Sequence, residues 1–278
     1  MNSREPVETL VIEAGRAEKH YWRDLWRYRE LLFFLAWRDV LVRYKQTVIG
    51  VLWAILRPAV TIAVFSVIFG KLAKLPSDGV PYPILVCVGM LPWQLFASAL
   101  ADAGGSLIEN ASMISKVYFP RLIVPASAIV VSAVDFIFAA VILVALMLWY
   151  GFVPDWRVVF VPLFVALACM GALGSGMWIA ALNVKYRDFR YVIPFILQLG
   201  LFISPVGFSS EVVPGQWRLL YSINPMVSVI DGFRWAMLGS GHAMYWPGFL
   251  LSVLCVAIVV VTGVRYFRRT ERMFADII

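Results

Sequence analysis

Apolar and polar stretches alternate along the chain in a simple order. Six apolar runs occupy 48–70, 83–101, 122–149, 158–184, 191–208 and 246–264, and short turns at 71–81 and 150–157 separate two of the pairs. A helix needs about 20 consecutive apolar residues to cross a bilayer. The pattern therefore predicts an all-α membrane protein with six transmembrane helices, its membrane domain spanning 47–264. Ahead of the first run, 21–46 reads differently. Arg23, Arg27 and Glu30 recur at helical spacing, and Trp22, Trp26, Phe33 and Trp37 supply wide amphipathic rings. That combination predicts an amphipathic helix lying in the headgroup layer. The apolar pieces within 209–245 are too short to cross and are broken by Pro214, Asn224-Pro225, Gly232 and Gly239. They predict short re-entrant helices before the last span. The connection 102–121 is polar, 265–278 is a basic tail, and 1–20 reads as a flexible tail.

Composition agrees with a bilayer as solvent. Hydrophobic residues make up 62% of the 278 and charged residues only 15%, where a soluble domain carries about 25%. Mean hydropathy is +0.82. A net charge of +7 in a soluble protein would point to nucleic acid; here the positive residues flank apolar runs, which is a topology signal. Eighteen Lys and Arg fall before the first run, in 102–121, in 185–190 and in the tail, against five in the opposite segments. By the positive-inside rule both termini are expected in the cytoplasm. No positive segment leads into an apolar core at the N-terminus, so no cleavable signal peptide is expected. Cys87, Cys169 and Cys255 sit in apolar runs without metal-ligand spacing and read as packing residues.

Candidate chemistry is sparse. There is no Gly-x-x-x-x-Gly-Lys-Ser/Thr loop to cradle ATP. Two histidines, His20 and His242, make no metal or catalytic cluster with cysteines or carboxylates. A membrane-embedded glycosyl- or acyltransferase would need more convergent acids or histidines than this. Asp135 is an acid at membrane depth, so it must face protein or water. It either lines a pathway or pairs with a basic residue such as Arg57. Arg57 in turn either meets an anionic headgroup or snorkels to the interface. Aromatics are 15% of the residues. Those along the spans either form an interfacial belt or line a tunnel on which sugar rings could stack.

Four segments carry a family resemblance: RDVLVRYKQTVIGVLWAILRP at 38–58, KVYFPRLIVP at 116–125, NVKYRDFRYVIPFILQLGLFISPV at 183–206 and YSINPM at 221–226. The chain resembles the membrane subunit of an ABC-2-type exporter of cell-surface polysaccharide, whether O-antigen, capsule or teichoic acid, over nearly its whole length. The resemblance implies a permease in the bacterial inner membrane that pairs with a second copy of itself and with a separate ABC ATPase dimer. That partner would bind ATP and Mg2+, leaving this chain with no cofactor and no catalytic residue. It implies a substrate polymer on a polyprenyl diphosphate, O-antigen first among the three, as in lipopolysaccharide biosynthesis. It implies that 21–46 holds the gate helix and that 102–121 couples to the ATPase, with Glu109, Asn110, Lys116, Phe119 and Arg121 as its candidate residues. Arg38, Arg43, Lys45 and Arg57 lie on the approach from gate helix to first span and are candidates for loading the lipid diphosphate. Trp53, Phe65 and Phe69 are candidates for the glycan-tunnel wall. The nearest alternative is an ABC-2 exporter of a drug or a small lipid.

Overall fold

The computed structural model describes residues 17–45, 50–74, 79–186, 188–239 and 244–277, and among these every regular element is helical. Five helical stretches are long and apolar enough to cross a membrane: Ile55–Leu72, Tyr82–Glu109, Ile123–Tyr150, Trp156–Lys185 and Trp246–Glu271. The expected fifth run forms a helix of only 15 residues, Phe189–Ile203. At about 1.5 Å per residue it reaches about 22 Å, short of a hydrocarbon layer of roughly 30 Å. Pro205 accounts for its early end, because a residue before proline is pushed out of the helical region and Ser204 is extended (φ −80°, ψ 150°).

Two helices precede the first span, α1 (Ala17–Arg27) and α2 (Arg29–Lys45). Tyr28 marks a kink and not an interruption: its N–H donates to the Asp24 carbonyl, and Leu32 donates back to Tyr28. Trp22, Trp26, Phe33, Phe34 and Trp37 are exposed, whereas Tyr21, Leu35 and Ala36 are buried against the bundle. The first span is α3 (Gly50–Phe65), which contains Pro58 and widens into a π-helical segment, Ser66–Leu72. Ser66 Oγ donates to the Ile62 carbonyl at its start, and Ala73 N–H donates five residues back to Ile68. Such one-turn widenings recur at functional sites.

The bundle is organised around α4 (Tyr82–Glu109), which is buried along most of its length and packs on α6 (Ile123–Tyr150), α7 (Val161–Lys185) and α10 (Pro225–Leu238). It extends past the expected boundary near 101 and takes in the first eight residues of the expected loop. Gly104-Gly105 does not break it: a Cβ on Gly104 would lie 2.7 Å from Ile179 Cγ2, so this glycine serves close packing on α7. The loop proper begins at Asn110 and contains one short turn of helix, α5 (Ala111–Ile114). On its other face α7 packs against α11 (Trp246–Ile277), where a Cβ on Gly174 would lie 2.8 Å from the Val260 nitrogen. Gly151, left-handed at φ 64°, ends α6, and Asp155 caps the 3-10 turn Trp156–Phe160 that leads into α7.

The region 209–245 contains α9 (Gly215–Tyr221) and α10, both too short to cross. Asn224 caps α10 by accepting from Met226 N–H, and Pro225 starts its first turn, where no donor is needed. The basic tail is not a separate segment. It continues the last span as one 32-residue helix, because nothing between Gly263 and Ile277 breaks it and Arg265, Arg268 and Arg269 favour helix.

Candidate functional site

Three clusters collect the polar and aromatic residues that lipid would otherwise penalise. The first joins α2, α4 and α6. Arg43 Nη2 donates to Asp102 on α4 at 2.9 Å, and its Nη1 donates to Asp135 on α6 at 2.5 Å. Tyr44 donates its hydroxyl to the other Asp135 oxygen and packs its ring on Phe138, and Ser132 Oγ donates to Asp102. Burial opposes the Arg43 charge, but the two carboxylates outweigh that and raise its pKa above the ordinary value. Burial and Asp135 together push the Tyr44 phenol up. Asp135 therefore pairs with Arg43 and Tyr44, and not with Arg57, because α2 is the helix that lies along α6.

Beside this cluster is a cleft of about 90 Å³ lined by Asp39, Arg43, Asp102, Ser106, Glu109 and Asn110. It has room for several waters. Arg38 closes one side, donating to Asn110 Oδ1 at 2.8 Å and pairing with its neighbour Asp39. Arg38 and Arg43 are thus both engaged with acceptors here, while Lys45 and Arg57 are exposed. Asp102 and Tyr44 complete the cluster and were not among the expected site residues. The available signal was a single acid on each of two successive apolar helices facing one arginine.

The second cluster lies at the other end of α3. The Phe65 and Phe69 rings stand 5.3 Å apart, tilted by 53°. Both rings abut Gly207, just beyond the end of α8 (Phe189–Ile203), where an added Cβ would come within 3.1 Å of each. The end of α8 (Phe189–Ile203) and the non-helical segment 204–208 would leave carbonyls dry, and donors from three other elements meet them. Tyr82 donates to the Gly207 carbonyl at 2.7 Å, and Tyr221 to Ile203 at 2.6 Å. Arg234, only 1% exposed, donates to Phe208 at 2.6 Å and to Val206 at 2.9 Å. The third expected wall residue, Trp53, lies on α3, but its side chain falls outside the described residues.

The third cluster surrounds 110–122. Lys116, Val117 and Tyr118 are exposed at the loop's tip. Glu109 is exposed on the last turn of α4, and Asn110 is the residue that ends that helix. Phe119, 3% exposed, points inward and packs in one apolar cluster with Ile114 and Leu122. Arg121 binds Glu271 near the end of α11: its backbone N–H donates to Glu271 Oε1 at 2.9 Å, and its Nη1 donates to the Glu271 carbonyl at 2.5 Å. Val117 and Tyr118 were not among the expected residues, since an apolar pair in a loop carries no periodic signal.

The sequence profile of the ABC-2 type transporter family matches residues 30–238, well over half of the chain. The chain belongs to the ABC-2 type transporter family. Similar members include the O-antigen export system permease protein RfbA of Myxococcus xanthus, 28% identical over 76% of this chain and 82% of the relative. The protein of the same name from Klebsiella pneumoniae is 25% identical over 90% of this chain and 95% of its own length. The polysialic acid transport protein KpsM of Escherichia coli is 25% identical over 72% and 78%. Within this ABC-2 chain the matched region includes the Arg43 cluster, the Phe65–Phe69 pair and the 110–122 loop, and ends at the last residue of α10.

Proposed function

We propose that this ABC-2 chain is the permease subunit of an ATP-driven exporter that moves a lipid-linked cell-surface polysaccharide, O-antigen first among the candidates, across the inner membrane. The similarity to O-antigen export permeases over as much as 90% of the chain is the observation that carries the reading. A second copy of the chain and a separate ABC ATPase dimer complete the machine, the partner holding ATP and Mg2+. The excess of basic residues on one side supports an orientation with both termini in the cytoplasm, in which α8 and the non-helical stretch 204–208 together make the sixth crossing. The exposed aromatics of α1 and α2 suit a helix pair resting in the headgroup layer, with basic residues beside them. In that orientation the 110–122 loop is cytoplasmic, and Lys116, Val117 and Tyr118 offer a surface to the ATPase.

The substrate imposes two demands. Its diphosphate needs cations near the cytoplasmic interface. Lys45 and Arg57 supply these, and Arg38 and Arg43 join them once α2 leaves its acceptors. Its sugars need polar partners or water across about 30 Å, because each dry polar group costs several kcal/mol. Aromatic rings such as Trp53, Phe65 and Phe69 then serve as a sliding wall, since stacking tolerates many registers. The deciding experiment reconstitutes the chain with its ATPase in vesicles and supplies polyprenyl-diphosphate-linked polysaccharide. ATP-dependent appearance of polymer on the far side is expected. Transport of a small lipid or drug without polymer movement would favour the alternative ABC-2 substrate class.

A further inference from the structure

We infer that the far end of α11 and helix α1 form a brace that sets the pose of the 110–122 loop, with Glu271 and Arg121 as positioning residues. The inference deepens the proposed role of that loop as the ATPase contact and rests on it. Neither α1 nor the end of α11 lies in the matched segment 30–238.

The brace can be followed residue by residue. Where α11 passes the end of α7, Trp178 stacks on Tyr266 at 4.1 Å and donates to Thr262 Oγ1. Beyond that point α11 keeps burying side chains. Phe267 and Phe274 are fully enclosed and meet edge to face at 5.4 Å. They share one apolar cluster with Tyr21 of α1, with Ile114, Phe119 and Leu122 of the loop region, and with Val184 at the end of α7. Arg268 lies 4.5 Å over the Tyr21 ring, and Arg121 lies 5.9 Å over the Phe274 ring. Burial and the nearby Glu271 charge push the Tyr21 phenol well above its ordinary range.

Glu271 holds a further place. Helix α6 starts at Ile123 with no side-chain cap of its own. The Glu271 carboxylate, brought in by α11, accepts the Arg121 N–H just ahead of that start, where unpaired donors and the helix dipole favour an anion. Arg121 closes the ring by donating to the Glu271 carbonyl. The mechanical consequence is direct. The loop contains one four-residue turn of helix, and a segment with so little regular structure would absorb a push on its tip. Tied through Phe119 and Arg121 to α11, and through α11 to α7, it passes that push to the bundle.

The test uses the full complex with its ATPase in nanodiscs. Glu271→Ala and Arg121→Ala should raise amide hydrogen exchange across 111–122 several-fold and lower polymer exported per ATP hydrolysed, with the dimer and bound ATPase retained. Glu271→Gln keeps an acceptor for the Arg121 N–H and should preserve both properties. Tyr118→Glu, on the exposed tip, should instead weaken ATPase association. If both alanine variants leave exchange across 111–122 unchanged, or if Glu271→Gln loses as much protection as Glu271→Ala, the brace is wrong. If Tyr118→Glu leaves ATPase association intact, the loop's docking role fails, while the exchange measurements still judge the brace alone.

Discussion

Arg43 on α2 meets Asp102 on α4 at 2.9 Å, joining the helix ahead of the first span to the central helix of the bundle. The same guanidinium holds Asp135 on α6, so one cation separates two carboxylates. Arg43→Ala would leave those acids facing each other. The side chains are about a third exposed, so solvent screens much of the pair, and the expected loss is about 1–2 kcal/mol. Asp102→Asn added to Arg43→Ala should recover part of it. Thermal unfolding in detergent, read by tryptophan fluorescence, gives both numbers. A single variant that melts with the wild type would make this cluster a bystander.

Arg234 is a harsher case, because its guanidinium is buried and both of its carbonyl partners lie in a non-helical stretch. Removing it strands the Val206 and Phe208 carbonyls, at about 1–3 kcal/mol each. Arg234→Met, which has no donor, is expected to lower stability by about 3 kcal/mol or to prevent insertion. Arg234→Gln, whose amide still offers donors without the charge, should lose less. Expression and melting temperature compared across the pair distinguish a carbonyl-capping role from a general need for charge.

The spans were readable because hydropathy alone places them: five of the six expected runs fall on long helices, and the remaining one, 191–208, falls on a shorter helix that it outruns. The ends were not. Gly104-Gly105 looks like a loop in one dimension, and only the Ile179 side chain opposite shows why it stays helical. The tail after Gly263 looks like solvent-facing charge, yet Phe267 and Phe274 inside it are core residues that cluster with residues as distant in sequence as Val184, Phe119 and Tyr21. Asp135 was legible as costly, but its partner depended on which helix packs along α6. Pairing is a three-dimensional fact that no local pattern encodes.

Orientation can be tested at two lysines. Lys74 follows the first span and Lys116 lies on the exposed loop after the second. In a background with Cys87, Cys169 and Cys255 replaced, a cysteine at 74 should react with an impermeant maleimide added to whole cells. A cysteine at 116 should react only after the membrane is opened. Labelling of both from the outside would overturn the topology derived from the charge bias.

The last prediction concerns the wall of the path. Phe65 and Phe69 are half-buried and rest on Gly207, at the break that follows α8. Two features mark this as a place that can move: α3 is π-helical from Ser66 onward, and the segment 204–208 opposite is held by side-chain donors instead of a helical ladder. If polymer slides past these rings, Phe69→Ala should slow export while leaving lipid-linked polymer bound at the cytoplasmic side. Arg57→Gln, midway along α3, should do the reverse and weaken loading. Gly207→Ala offers an independent probe, since its methyl would press within 3.1 Å of both rings and bias their positions without removing either. Export rate and photocrosslinking of the lipid-linked polymer are to be measured side by side. Slowed export with full crosslinking in Phe69→Ala, and lost crosslinking in Arg57→Gln, would assign the Arg57 level of the span to loading and the Phe69 level to passage. Unchanged export in both Phe69→Ala and Gly207→Ala would return the ring pair to ordinary packing.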